Sequence, residues 1–506
     1  MIGKALDPGG GGPDSGALAG RSVGDRRART RPRPRATSVA LALALLGPAA
    51  ASANASDPFG TERYISPAPH LRWEPGIALP AVSAPPDVAA APGVRPLSLA
   101  ELTELALRNN PRTRQAWFAA RAAAAGVGIE EADRLPQIAA TVLLQRSESG
   151  GQAGNQIPWL TRYGPSLTLS YLLFDFGVQE SQVRAAEYLA LAAALGQNRA
   201  LQEVVLQVEQ AYYRYLGAEQ LVRSNELFLK SVTTSLEAAR RRREAGLATV
   251  ADVYRSETQV AQAQLNVARS RGELEKARGA LAAAAGLPVD APLRVQALEG
   301  EPRIEEVSAS LEQMLARART SRPDLVASEA QVRAARAQAE AASRAAYPTV
   351  SVSATTGQTY YMGERPRTDT NSIGLTLSIP LFSGYGRTYA LRQAQARAAQ
   401  AEAARDVLYR QAELEVWQAY YDVQTAARAI ATTEIQLKAA QQTAEATLAR
   451  YQAGFGTLLD LITAQVEELN ARVQRIQSYL DWFTALARLN HAIGASDPFV
   501  QGLQAR

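Results

Sequence analysis

One unit occurs twice in this chain, so any fold must place two copies of it side by side. The later copy covers residues 347–460. It opens on the alternating segment Pro348-Thr349-Val350-Ser351-Val352-Ser353-Ala354. After a polar loop the alternation returns in Ile373-Gly374-Leu375-Thr376-Leu377-Ser378-Ile379 and stops at Phe382-Ser383-Gly384. No proline interrupts residues 385–453, which lead to the turn Gly454-Phe455-Gly456-Thr457-Leu458-Leu459-Asp460. Alternation at period two marks a strand with two different faces, and a long Ala-, Gln-, Arg- and Glu-rich run marks a helix. The unit is a β-hairpin carried on very long helices. In the earlier copy, Leu135-Pro136-Gln137-Ile138 matches Tyr347-Pro348-Thr349-Val350 at a shift of 212 residues. Phe174 matches Phe382, Gln210-Ala211-Tyr212-Tyr213 matches Gln418-Ala419-Tyr420-Tyr421, and Gly246, Asp252 and Gly286 match Gly454, Asp460 and Gly494, all at 208. The change of shift falls between the two strands, where a loop tip absorbs length differences.

The lengths of these elements constrain their surroundings. The first strand is read over 135–147, with Ile138, Ala140, Val142 and Leu144 on one face. The second is read over 163–174, with Leu167, Leu169, Tyr171 and Leu173 opposite Ser166, Thr168 and Ser170. Strands of about 10–12 residues cross a bilayer at a tilt. Tyr163 and Phe174, and in the copy Tyr360, Tyr361 and Phe382, stand where interfacial aromatic girdles belong. Segment by segment a soluble sandwich hairpin reads much the same, and the secretory signal with no helix-length apolar span after it tips the balance. If the strands are in a membrane, several chains must share one barrel, since four are too few and the smallest have about eight. Long helices over 177–244 and 385–452 follow, each about 100 Å at 1.5 Å per residue, with return helices over 249–285 and 457–493. Val416, Val423, Ile430 and Leu437 recur every seven residues, with Ala419, Ala426 and Ala440 between them. Large and small residues in such a heptad permit close antiparallel packing. The alanine stripe suits a second helical neighbour, as in a wall of helices, but periodicity alone favours an ordinary long coiled-coil hairpin. Upstream, Ser98 and Glu101 form a capping-box pattern opening a short helix that Asn110-Pro111 breaks, and a second helix covers 112–133.

The turn between long and return helix reads Ala245-Gly246-Leu247-Ala248-Thr249-Val250-Ala251-Asp252 in the first copy. Gly246 and Gly454 fit the helix C′ position that needs positive φ. Thr249 and Thr457 are then N-caps, with Asp252 and Asp460 at N3 where a carboxylate favours the helix dipole. The same aspartates can line an opening at the helix tips, and the two roles are compatible.

Composition narrows the function classes. The chain has no cysteine, which excludes disulfides, iron–sulfur clusters, thiolate metal sites and an amino-terminal lipid on cysteine. Its two histidines, His70 and His491, lie far apart in sequence. No nucleophile motif, phosphate loop or metal-spaced cluster is present, so neither enzyme chemistry nor a cofactor or metal is expected. Residues 1–55 read as a signal peptide, with Arg26, Arg27, Arg29, Arg31, Arg33 and Arg35 before the apolar core 39–46 and a small-x-small site at Ala53-Asn54-Ala55. This segment carries a net +5, equal to that of the whole chain, so the basic balance gives no support to nucleic-acid binding. Residues 56–96 are proline-rich and cannot build a core. Two repeats, 97–296 and 297–496, and a tail, 497–506, complete the expected organisation.

On these residues the chain resembles the TolC-like outer-membrane factor family, exit ducts of tripartite efflux pumps and type I secretion systems. The resemblance covers about residues 97–494. It rests on the spaced Leu-x-x-Ala-Leu-x-x-Asn-Pro pattern of 102–111, on Leu135-Pro136, Phe174-Asp175-Phe176-Gly177, Phe382-Ser383-Gly384, the paired Ala-Tyr-Tyr segments and both Gly-to-Asp turns. It implies a mainly α fold with a transmembrane β-barrel portion: a homotrimer in outer-membrane lipid, four strands per chain in a shared 12-stranded barrel, and a periplasmic helical tunnel. The helix tips would form a periplasmic entrance, with Asp252 and Tyr451 matching residues that link neighbouring helices and Asp460 matching an entrance aspartate. Gly246, Thr249, Gly454, Gly456 and Thr457 would lie in the turns that meet a periplasmic adaptor. The chain departs from the family pattern at Gly456, where an arginine link would sit, and at Thr463, where a second aspartate would sit. The leading expectation is a passive duct for type I protein export, worked by an adaptor and an inner-membrane transporter. The lack of a lipid-bearing cysteine leans that way. The alternatives are a duct for small-molecule efflux and, from another class, a periplasmic coiled-coil scaffold without a pore.

Overall fold

The computed structural model describes residues 95–148, 159–296, 310–362 and 367–495, all within the unit Pro85–Arg506. The expected signal peptide, nearly all of the proline-rich segment and the tail lie outside the described residues.

Each repeat contributes the same series of elements. The first has α1 (Leu99–Asn109), α2 (Pro111–Ala132), β1 (Gln137–Ser147), β2 (Leu160–Phe174), α3 (Val178–Glu244) and α4 (Val250–Ala284). The second has α5 (Leu311–Ser321), α6 (Pro323–Arg344), β3 (Thr349–Tyr361), β4 (Thr368–Ser378), α7 (Gly386–Gln452) and α8 (Leu458–Ala492). The two long helices have 67 residues each and start and stop within a residue of the expected bounds. Ser98 caps α1 in a capping box with Glu101. Pro111 stands at the first position of α2, where its missing N–H costs nothing, and Asn110 is the cap.

The strands run further than alternation alone indicates. Pairing extends from Arg162 through Ser147 opposite Leu160, and from Gly357 through Thr359 opposite Thr368. Residues 160–162, 355–361 and 368–372 read as polar loop in sequence. Their threonines and tyrosines suit a pleated surface, and the ladder supplies the backbone partners. The sheet has the order β1-β2-β3-β4, antiparallel throughout. Its register keeps one apolar face across all four strands: Ile138 opposes Leu169, Leu169 opposes Ala354 and Ala354 opposes Ile373. Thr168, Thr355 and Ser372 line up on the other face. The apolar side chains stay exposed, Val142 and Ile373 to 81% each. In water such a face would be a large unsatisfied cost. Among the described residues β1 and β4 each have one strand partner.

Below the sheet, α3 packs against α1, α2, α4, α6 and α8, while Ala419 and Ala426 of the expected stripe on α7 share one core with Val416, Val423 and Ile430. Two equivalent cores form where the short helices meet the long ones. One joins Leu102 and Ala106 to Val204, Val208, Tyr212 and Leu281. The other joins Met314 and Ala318 to Val416, Val423, Ile430, Trp482 and Leu489. Of the expected heptad residues Val416, Val423 and Ile430 are buried, and Leu437 is half-buried. Among the described residues no helix is long and apolar enough to cross a membrane.

Candidate functional site at the helix tips

The long helices end in paired turns whose chemistry follows from a few residues. α3 closes on a Schellman motif: the Leu247 N–H donates to the Arg242 carbonyl at 2.7 Å and the Gly246 N–H to the Arg243 carbonyl at 2.9 Å. α7 closes identically, with Phe455 donating to Arg450 at 2.9 Å and Gly454 to Tyr451 at 3.1 Å. Gly246 and Gly454 have φ of 74° and 86°, where a side chain is strained. Gly456 is small for another reason: a Cβ there would lie 3.2 Å from the Tyr451 nitrogen.

Thr249 and Thr457 then restart the chain as helix. Each sits in a capping box in which its hydroxyl accepts from the N3 backbone N–H of Asp252 or Asp460, while the aspartate accepts from its own N–H. The Thr249 backbone N–H and hydroxyl reach the Asp252 carboxylate at 3.0 and 2.8 Å. These bonds hold the Asp252 carboxyl below its ordinary range, helped by Arg255 and Arg242 nearby. The Thr457 hydroxyl and backbone do the same for Asp460.

Tyr451 lies apart from this pattern. It is 3% exposed and packs with Leu458 and Leu461 against Ala238 of α3. Burial pushes its phenol above the ordinary value. Its hydroxyl has no hydrogen-bond partner among the described residues. Within the chain, then, Asp252 and Tyr451 are electrostatic neighbours without a hydrogen bond, because the carboxylate is turned back to Thr249. The residue that reaches Tyr451 is Arg242. Its guanidinium donates to the Tyr451 carbonyl and stands 4.8 Å from the centre of the ring. Sequence reasoning passed over Arg242, although it lies in the run Arg240-Arg241-Arg242-Arg243 immediately before the turn. Around the turns Leu247, Tyr254, Phe455 and Leu459 are exposed, Phe455 to 82%.

At the other end of the molecule the expected girdle residues group at the strand ends. Tyr163 and Tyr360 stack across β2 and β3 with centroids 5.5 Å apart, and Tyr361 is the last residue of β3. Phe174 meets Phe176 at 4.7 Å, and Phe382 meets Tyr385 at 5.7 Å, in the two turns that leave the sheet for the long helices.

Comparison with known proteins agrees with this architecture. The family model described as outer membrane efflux protein matches residues 102–287 and 314–495. Protein CyaE of Bordetella pertussis is 30% identical over 413 residues, 79% of this chain and 84% of its own. Outer membrane protein OprJ of Pseudomonas aeruginosa is 29% identical over 77% and 83%. The alkaline protease secretion protein AprF of the same organism is 26% identical over 66% and 70%. The solved outer-membrane channel OprN shares the fold, with a TM-score of 0.71, 22% identity and coverage of 82% and 98%. A poreless scaffold is set aside by this finding. The duplicated hairpins, the exposed apolar sheet face and the paired helix tips are those of an outer-membrane channel, and the chain belongs to the outer membrane efflux protein family.

Proposed function

We propose that the chain is the passive exit duct of a type I protein secretion system, working as a homotrimer. The observation that supports the homotrimeric duct is a four-stranded sheet whose outer strands have no second partner among the described residues and whose apolar face is exposed. A bilayer tolerates no unpaired sheet edge, so β1 and β4 must find partners in other copies. Three chains would bring twelve strands to one barrel, within the range of closed membrane barrels. The girdle residues Tyr163, Tyr360, Tyr361, Phe174 and Phe382 would lie at its two interfaces with outer-membrane lipid. The helices would continue the duct into the periplasm, ending at an entrance bordered by Asp252, Tyr451 and Asp460.

An inner-membrane transporter would supply the energy, and a periplasmic adaptor would engage the turns at Gly246, Thr249, Gly454, Gly456 and Thr457. The exposed Leu247, Phe455 and Leu459 beside them offer the apolar contact such docking needs. The chain itself performs no covalent chemistry and needs no metal, cofactor or nucleic acid. AprF is named for the secretion of a protease, which favours protein cargo, whereas other similar proteins are named for efflux and keep small-molecule export as the second reading.

Two measurements test this. Outer-membrane fractions run unheated by native electrophoresis should show a detergent-dependent trimer. A monomer would overturn the shared barrel. Deleting the chain from its host should remove a protein from the culture supernatant and leave drug susceptibility unchanged. The reverse outcome would favour small-molecule efflux.

A further inference from the structure

We infer that Arg242 is the latch that holds the tip of the first repeat to the tip of the second. This rests on reading the tips as the channel entrance. Arg242 belongs to the last turn of α3, yet its guanidinium donates to the carbonyl of Tyr451 in the last turn of α7. The end of one long helix thus caps the end of another. A cation at a helix C-terminus meets the negative end of its dipole, and here it adds a second bond to a carbonyl that already accepts from the Gly454 N–H. The same guanidinium lies 4.8 Å from the ring centre of Tyr451, in range for a cation–π contact. The Nε of Arg242 and the hydroxyl of Tyr451 are both buried without partners among the described residues. The contact therefore runs through the guanidinium, the ring and the carbonyl, and the phenol hydroxyl takes no part in it.

The second repeat supplies a control from within the molecule. At the 208-residue shift Arg242 corresponds to Arg450, which is exposed. Tyr451 corresponds to Arg243, so the first repeat has no aromatic ring at that place. The latch is consequently made once per chain. Gly456 completes the geometry. A side chain there would press on the backbone of Arg450 and Tyr451, the turn of α7 that Arg242 grips.

Opening the entrance requires the two tips to separate, which breaks this contact and leaves the half-buried guanidinium and the carbonyl to be rehydrated. The test is resting conductance of the purified protein in planar bilayers. Arg242→Ala should raise the open fraction about tenfold. Tyr451→Ala should do the same. Arg242→Lys, which keeps the cation over the ring, should recover most of the closed state. Tyr451→Phe, which keeps the ring and the carbonyl, should open far less than Tyr451→Ala, and Arg450→Ala, outside the contact, should stay at the wild-type level. An Arg242→Ala channel as closed as wild type would overturn the latch, as would a Tyr451→Phe channel as open as Arg242→Ala. If the wild type itself forms no gated channel, the failure belongs to the entrance reading and not to Arg242. Native electrophoresis of each variant separates loss of closure from loss of assembly, and the lysine and phenylalanine variants decide the question if either alanine variant does not assemble.

Discussion

Arg322→Asn is expected to destabilise each chain by about 3 kcal/mol, the usual scale for breaking a buried ion pair by removing one partner. Arg322 is 1% exposed and stands at the junction between α5 and α6. Its guanidinium bonds both oxygens of Asp324 at 3.1 and 2.7 Å, Glu415 of α7 at 2.7 Å and the carbonyl of Ala492 at the end of α8 at 3.2 Å. One side chain therefore ties the short helices, a long helix and a return helix together. The first repeat solves the same junction without charge: Asn110, the equivalent residue, donates from its amide to the carbonyl of Ala284, the equivalent of Ala492. Asparagine at 322 keeps that carbonyl bond in reach but strands two carboxylates. Asp324 retains Arg199 at 3.6 Å, and Glu415 is partly reached by water, which holds the loss to the lower end of the range. Adding Glu415→Gln, the residue that the first repeat has at Gln207, should recover about half of the loss by removing one stranded charge. Heat-dissociation midpoints of the detergent-purified protein would check both. An Arg322→Asn variant as stable as wild type would mean that the ion cluster contributes nothing net.

The parts of this molecule legible in sequence are those in which local chemistry and tertiary context agree. Gly246 and Gly454 demand positive φ and the threonines that follow demand a cap, so both turns could be read residue by residue. The helix ends were legible for the same reason. Strand ends were not, because Thr355, Thr356 and Thr368 to Thr370 are polar and become strand only through their cross-strand partners. The tips show a second limit. Asp252 and Tyr451 could be singled out by resemblance, but a single chain already satisfies the Asp252 carboxylate with Thr249. The arginine that meets Tyr451 is distant by more than 200 residues, and an arginine run in a last helical turn reads most simply as a solvated end favoured by the dipole. Nothing local distinguishes Arg242, which reaches across, from Arg241 and Arg243, which do not.

Glu209 leads to the other large effect, and its sign is opposite to that of most carboxylates. It lies on α3, 9% exposed, with Oε2 lacking any partner among the described residues. Beside it Tyr213 stacks on Phe483 of α8 with centroids 4.6 Å apart, so the seam between the two helices is closed by rings. Burial pushes the Glu209 carboxyl from 4.5 up to about 7. The folded chain thus binds a proton that the unfolded chain has released, and stability falls as pH rises from 4.5 to 7. The whole interval is worth about 3 kcal/mol. His491 works the other way. Burial, with Arg199 and Arg322 close by, pulls its imidazole from 6.5 down to about 4, so its contribution is lost as pH falls through that interval. Between pH 4.5 and 6.5 the two slopes oppose each other. Glu209→Gln removes one slope and exposes the other. The variant should match wild type near pH 4.5, gain steadily on it, and exceed it by about 3 kcal/mol at pH 8. Denaturation midpoints of both proteins across this range decide the matter. A difference that does not change with pH would show that Glu209 carries its charge throughout, and that some partner in the assembled protein answers it.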